Sequence, residues 1–437
     1  MSTPAAMTFD QQRYSVEFGA KAWVIVFTCS LFFFYEFVQL NMFNALDAQL
    51  IATFQVDATR LGKLSAIYFL SNVLFLFPAG ILLDRFSVRK LVLVTMGVCV
   101  FGTYLFALST SFVMAETARF LTGIGSAFCF LSCIRLASRW LPERKMALAA
   151  GFIVTMGMLG GMVAQTPMTL LVAHVGWRHA LVFNASAGVL FLILIALLIK
   201  DYPANLAKLY REQKNNQRQL GFLRTLKLAF INRQNWACGI YTALLNLPIF
   251  LLGAVWGMPY LTTVRHLSPT HASVVTSMLF LGTIVGSPLA GWLSDRLGLR
   301  RMPMIAGAAF TLLFICATLY IPHLGFQALL FLFLAIGVIS SAQIISYPTV
   351  AESNPLFLTA TAVSVVSLSC ISAGGIFQYW FGRLMDWKWD GLVVEGMRVY
   401  SKTSFDIACL IMPIACVVSL IAALLVRETF CRLRDNV

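Results

Sequence analysis

Glu36 and Arg119 stand inside runs of apolar residues, Ala22–Phe43 and Phe112–Leu136. Placing a charged side chain in lipid is costly enough that a functional role is the default reading of both. Each lies seven residues from the end of its run on the same side of the membrane, which is roughly 10 Å deep at a helical rise of about 1.5 Å per residue. An acid and a base at matching depth can meet. Desolvation favours the neutral acid, whereas a neighbouring guanidinium favours the carboxylate, so such a pair can take up and release a proton. The competing arrangement pairs Arg119 with Glu116, at i, i–3 on its own helix, and leaves Glu36 to contact a solute or simply to pack.

The remaining candidates are neutral. The first half of the chain adds Tyr35, Gln39, Asn72 and Gln165 to the charged pair. The second half offers Tyr241, Asn246, Gln343, Ser346, Tyr347, Ser367 and Gln378, with no acid or base buried in its seventh, eighth, tenth or eleventh helices. Charge on one side with amides and hydroxyls on the other suits a small polar or zwitterionic solute. Taken singly, each of these groups is more often a helix–helix hydrogen bond than a ligand contact.

These residues need helices in lipid to hold them. Of 437 residues, 59% are hydrophobic and 11% charged, against about 25% charged in a soluble domain. Spanning helices need about 20 mostly apolar residues. Twelve segments qualify: Ala22–Phe43, Leu61–Leu83, Leu91–Ser109, Phe112–Leu136, Met146–Ala173, Ala180–Ile199, Trp236–Leu261, Ala272–Leu293, Met302–Tyr320, Phe326–Val350, Leu358–Met385 and Phe405–Val426. The polar connection 200–235, with eight basic and two acidic residues, divides them into bundles 1–199 and 236–437. Its amphipathic part near Phe222–Phe230 reads either as a surface helix on anionic lipid or as a solvated tether. With the N-terminus inside, 22 Lys and Arg fall on the cytoplasmic side and eight outside, so the positive-inside rule places both termini in the cytoplasm. The net charge of +14 is thereby spread over short loops, and no basic domain suited to nucleic acid remains. The ten cysteines sit in or beside apolar segments or in the tail. They read as small packing residues, with no disulfide or metal expected. The apolar run after the polar first 21 residues is too long for a signal-peptide core and is expected to stay as the first span.

A charged turn is used twice. Gly80-Ile-Leu-Leu-Asp84-Arg85-Phe-Ser-Val-Arg89-Lys90 and Gly291-Trp-Leu-Ser-Asp295-Arg296-Leu-Gly-Leu-Arg300-Arg301 lie 211 residues apart, at matching places in the two halves. Duplicated halves around a central site are how many secondary transporters are built. With Arg119-Phe-Leu-Thr-Gly123-Ile-Gly125 on helix four, Gly176-Trp177-Arg178 and Trp256-Gly-Met-Pro259-Tyr260, the chain resembles the major facilitator superfamily over essentially its whole length. Ser87 replaces the usual second glycine of the first turn.

That resemblance implies an all-α membrane protein of twelve transmembrane helices in two pseudo-symmetric six-helix bundles. It implies that Gly80, Asp84, Arg85, Arg89, Gly291, Asp295, Arg296 and Arg300 form a latch that closes the cytoplasmic side. It also implies that Glu36 and Arg119 face one cavity, similar to the proton site of proton-coupled sugar symporters, with Glu116 as the other acid of the coupling set. The expected function is proton-coupled uptake of a small polar metabolite, an amino acid or short peptide ahead of sugars and organic anions, by a single chain in a bacterial inner membrane. The alternative is a proton-driven exporter of drugs or siderophore-like compounds. Helix five reads Gly157-Met-Leu-Gly160-Gly161, without the proline of the drug-antiporter signature, and this favours uptake. No nucleotide loop, nucleophile elbow or H-E-x-x-H motif is present, so neither enzyme chemistry nor a cofactor is implied.

Overall fold

The computed structural model describes residues 20–141, 146–202, 229–354, 359–394 and 397–431. Helix dominates it: α1 Ala20–Asn41, α2 Phe43–Phe54, α3 Ala58–Arg85, α4 Val88–Ala107, α5 Phe112–Trp140, α6 Met146–Val163 and α7 Thr166–Leu198 come first. After the linker follow α8 Arg233–Leu245, a π-helical stretch Ile249–Trp256, α9 Gly257–Thr263, α10 Pro269–Leu297, α11 Arg301–Tyr320 and α12 Phe326–Ser340. A 3₁₀ segment Ser341–Ile345, α13 Ser346–Glu352, α14 Thr359–Trp387, α15 Lys402–Cys409 and α16 Ile411–Leu425 complete the chain. Between α14 and α15, Val393–Val394 and Met397–Arg398 form a short antiparallel pairing. The end of the molecule that bears it is called the hairpin face here, and the end bearing the two Gly-x-x-x-Asp-Arg turns is called the basic-turn face.

Local chemistry sets the helix ends. Asp57, Ser87, Ser111 and Ser268 accept a backbone N–H from the first turns of α3, α4, α5 and α10, as N-caps do. Gly298 closes α10 at φ 63°, a left-handed conformation that glycine adopts without strain. Ten helical runs among the described residues are long and apolar enough to cross a membrane. One of them, 149–198, takes in both the fifth and sixth sequence segments. Helix continues on both sides of Gly176, which breaks it with φ 78° and ψ 162°.

The first span differs from its expected bounds. The segment Ala22–Phe43 does not end at Phe43: after a break at Met42 the chain continues as α2 to Phe54. The polar residues Asn44, Asp47 and Gln49 read as loop, yet Phe43, Leu46 and Leu50 on the same stretch are buried and hold it helical against its neighbours. Glu36 is therefore eighteen residues from the end of this helical run, not seven from the end of its helix as the sequence suggests.

Of three apolar core clusters, one lies wholly within residues 22–199, one wholly within 229–426, and the third joins the two halves. The joining seam runs along α3 against α14 and along α6 against α10, with α2 against the π-helical stretch. Near the hairpin face this packing is backbone to backbone. A Cβ on Gly62 would meet the Gln378 carbonyl oxygen at 2.6 Å, and one on Gly382 would collide with the Ala58 carbonyl. Near the basic-turn face, a Cβ on Gly80 or Gly291 would meet nothing within 4 Å. The halves are shut at the hairpin face, and no such backbone contact is made at these two glycines.

Candidate functional site

Glu36 on α1 is 1% exposed and Arg119 on α5 is 0% exposed. They are joined through a third side chain. The Tyr68 hydroxyl on α3 donates to Glu36 Oε2 at 3.0 Å, and the Tyr68 ring lies under the Arg119 guanidinium, 4.7 Å from Cζ to centroid. Phe43 stands at the same 4.7 Å separation from that guanidinium. Arg119 Nη1 donates to the Gln39 carbonyl at 3.0 Å, while its Nε and Nη2 have no hydrogen-bond partner. Glu36 Oε1 likewise has none. The Arg-x-x-x-Gly-x-Gly glycines admit this arrangement: a Cβ on Gly123 would strike the Tyr68 carbonyl, and one on Gly125 would strike Glu36 Oε1. These glycines of α5 are thus the seat of the buried acid. Glu116 turns away from Arg119 and pairs with Lys63 at 2.8 Å, so the local i, i–3 pair is not formed.

A second polar cluster clasps the halves together. Asn44 Nδ2 donates to the Leu252 and Gly253 carbonyls at 2.8 and 2.5 Å, and its Oδ1 accepts from Met258 N at 3.2 Å. Gln165 Nε2 donates to Gly253 O at 2.8 Å, and Gln165 Oε1 accepts from Thr276 at 2.8 Å. The acceptors lie on the π-helical stretch, an irregularity that frequently marks functional sites. Nearer the hairpin face, Asp386 on α14 accepts from Thr59 N at 2.7 Å and Tyr400 at 2.5 Å. The Tyr400 hydroxyl accepts from Ala58 N at 2.7 Å. Burial and the Asp386 carboxylate push the Tyr400 hydroxyl well above its ordinary range.

The other expected solute ligands are spread more widely. Tyr35 donates to Thr103 at 3.2 Å and Tyr241 to the Met304 carbonyl at 3.1 Å, both as helix–helix bonds. Asn72 is held by Ser126 at 2.6 Å, and Asn246 by the Cys370 sulfur at 3.2 Å. Gln378 donates to the Phe250 carbonyl at 2.8 Å. Tyr347 is partly buried on α13. Oxygen atoms of Asn72, Gln343 and Gln378, both side-chain polar atoms of Gln39, and Trp256 Nε1 are buried without partners.

Of the two charged turns, the side chains of Asp84 and Arg85 lie outside the described residues. Arg89 reaches the Ala196 carbonyl at 2.5 Å, and its N–H meets Asp201. Asp295 pairs with Arg300 at 2.6 Å within its own turn, and Arg300 also bonds Glu352 at 2.7 Å. Arg296 lies over Trp292. Glu428 accepts from the N–H groups of Arg300 and Arg301 at 2.7 and 2.8 Å, which caps α11. Burial raises the Glu428 carboxyl, but four backbone N–H groups outweigh it and hold the group below its ordinary range.

Sequence reasoning missed Tyr68, Asn44 and Asp386. Tyr68 carries no charge to mark it in an apolar helix. Asn44 fell just beyond the assumed end of the first span. Asp386 sits one residue past the eleventh segment, where an acid reads as a loop residue.

A family model, Major Facilitator Superfamily, matches residues 26–379 and 241–429. A Bacillus subtilis protein, uncharacterized transporter YybO, is 24% identical over 77% of this chain and 82% of its own length. A probable sulfoacetate transporter of Cupriavidus necator, SauU, is 24% identical over 50% of this chain and 52% of its own. Among solved structures, a bacterial homolog to the human lysosomal transporter Spinster superposes with a TM-score of 0.73 at 16% identity. It covers 95% of this chain and 99% of that one.

Proposed function

The chain belongs to the Major Facilitator Superfamily, and from that premise we propose that it is a proton-coupled symporter for a small polar metabolite, working by alternating access. As a multi-pass member of that superfamily it is a membrane transporter, and the proposal concerns coupling, direction and solute. Two bundles, 1–199 and 236–437, cross the membrane twelve times in all and rock about a site between them, with 200–235 as the cytoplasmic linker. The basic-turn face is cytoplasmic and the hairpin face external, so the arrangement described above is closed to the outside. The turns around Asp84 and Asp295 form the opposing latch, on the face away from the closed seam.

One observation carries the coupling reading: Glu36 is buried among α1, α3 and α5 with a basic residue held across Tyr68. A carboxyl in that setting can be charged when empty and neutral when loaded, which is what a proton carrier requires. Among the groups read as solute ligands, Gln39, Gln343 and Gln378 keep unpartnered atoms and are favoured, while Tyr35 and Tyr241 are engaged between helices. The test is transport by Glu36→Gln in proteoliposomes. The amide mimics the protonated acid, so solute exchange should persist while accumulation driven by a proton gradient is lost. Wild-type accumulation by Glu36→Gln removes Glu36 as the carrier.

A further inference from the structure

We infer that the Arg119 guanidinium is the subsite for the single anionic group of the solute, a carboxylate, sulfonate or phosphate monoanion, and that transport of that solute is electroneutral. The inference rests on the coupling reading above and adds the chemistry of what is carried. Arg119 is fully buried, and no carboxylate pairs with it among the described residues. Only Nη1 is engaged, by a neutral carbonyl, and Nε and Nη2 are left without partners. Those two N–H groups project from one planar fork, the geometry that takes a carboxylate, sulfonate or phosphate in bidentate fashion. Phe43 and Tyr68 fix the plane of the fork. The Gln39 side chain, from the residue whose carbonyl holds Nη1, has both polar atoms unpartnered.

The charge count sets the stoichiometry. The titratable neighbours of Glu36 are Tyr35 on its own helix, Tyr68 on α3, Cys99 on α4, and Arg119 and Cys129 on α5. Arg119 is the one base among them. With Glu36 ionised the pair is neutral, and an added anion would face a carboxylate in a low-dielectric interior, where repulsion is many times stronger than in water. With Glu36 protonated the site carries one positive charge and accepts one negative charge. The empty and the loaded site are then both neutral, so neither crossing step moves net charge. Gln343, Gln378 and Trp256 in the other half offer only uncharged polar atoms, which suits an uncharged remainder of the solute and not a second charged group.

The experiment has a binding arm and a transport arm, both on the full-length protein. Thermal shift is measured with lactate, isethionate and glycerol 3-phosphate as monoanion or phosphate probes, with glycerol as the neutral and glycine betaine as the zwitterionic control. At least one anion should stabilise the wild type, bind Glu36→Gln more tightly at neutral pH, and bind Arg119→Gln about tenfold to a hundredfold more weakly, the loss expected for hydrogen bonds to a charged group. Arg119→Lys, which keeps the charge but not the fork, should fall between them and guards against a misfolded Arg119→Gln. The best anion is then followed into proteoliposomes, where a pH gradient should drive accumulation and a potassium-valinomycin potential should change it less than twofold. Stabilisation by glycerol or betaine alone, no shift with any anion, full binding by Arg119→Gln, or uptake driven by the potential overturns the inference. If the anion binds through Arg119 yet a pH gradient drives nothing, the coupling reading fails while the anion subsite stands. If a pH gradient drives only a neutral solute, the subsite fails and the coupling reading stands.

Discussion

Gly62→Ala should open the hairpin face. The added methyl would lie 2.6 Å from the Gln378 carbonyl oxygen and 3.4 Å from the neighbouring backbone carbon atoms of α14. These are backbone atoms, so a rotamer change cannot relieve the clash. Overpacking of this kind costs about 1–3 kcal/mol, and here it applies only while α3 and α14 are in contact. The helix-propensity gain of alanine over glycine, about 0.5–1 kcal/mol, acts in every conformation and cancels between them. At about 1.4 kcal/mol per factor of ten, the ratio of hairpin-closed to hairpin-open protein should fall roughly fivefold to 150-fold. Spin labels at Gln55→Cys and Asp390→Cys, on a background without the ten native cysteines, report the hairpin face by pulsed dipolar distances. A pair at Phe86→Cys and Leu297→Cys reports the basic-turn face. The first pair should lengthen and the second shorten in Gly62→Ala. Gly291→Ala is the matched control, because its methyl meets nothing within 4 Å here, and it should not depopulate this state. Unchanged distances in Gly62→Ala, or equal changes in both variants, would refute the argument from the seam.

Asn44→Leu removes the side-chain donor to the Leu252 carbonyl and one of two to the Gly253 carbonyl, which keeps Gln165, at about 0.5–1.5 kcal/mol for each hydrogen bond lost. A Thr276→Cys reporter should then label at least fivefold faster with a thiol reagent added from the hairpin side, and an unchanged rate would count against the clasp. Glu428 titrates below its ordinary range in the folded protein, so its contribution is present above the unfolded value of about 4.3 and is lost as pH falls through the folded value. Glu428→Gln should therefore lower Tm near neutral pH by the equivalent of about 0.3–1 kcal/mol, and the difference from wild type should vanish in acid. A difference that grows in acid would mean that the cap is not electrostatic. For topology, Asn215→Cys should be protected from an impermeant external reagent and Asp390→Cys labelled, and the reverse pattern would invert the proposed orientation.

The sequence readings succeeded where hydrophobicity carries the signal. Long apolar runs, a duplicated Asp-Arg turn and an acid in lipid are visible without coordinates, because each violates what a soluble chain would do. Where polar residues are held by tertiary contacts, the signal fails. Asn44 and Asp47 made α2 look like a loop, although the Phe43, Leu46 and Leu50 side chains anchor it. Gln165 was read as a solute ligand, and in this state it is spent on the Gly253 carbonyl and Thr276. Glu36 and Arg119 were read as able to meet directly, whereas Tyr68 stands between them, and that tyrosine was not foreseen. An uncharged residue has no pattern in a single sequence that separates a bridge from core packing.

That tyrosine also ties the proposed proton site to the seam. Tyr68 and Phe69 are consecutive on α3 and point to different neighbours. The Tyr68 hydroxyl meets Glu36, while the Phe69 ring packs on Phe250 at 5.4 Å and fills the space beside Gly374 and Gly375 of α14. A protonated Glu36 can no longer accept the Tyr68 hydrogen bond as a carboxylate, so the force holding α3 against α1 weakens when the proton binds. Because the neighbouring residue is wedged between the halves, a small rotation of α3 is felt at once along α14. On the proposed coupling reading, proton occupancy and closure of the hairpin face act on one helix, and close packing leaves little slack between them. On this account Tyr68→Phe should leave Arg119 covered by an aromatic ring yet uncouple solute movement from the proton gradient, with leak exceeding driven accumulation. Full coupling in Tyr68→Phe would mean that Glu36 reaches the seam by another route, through α5 and Gly125.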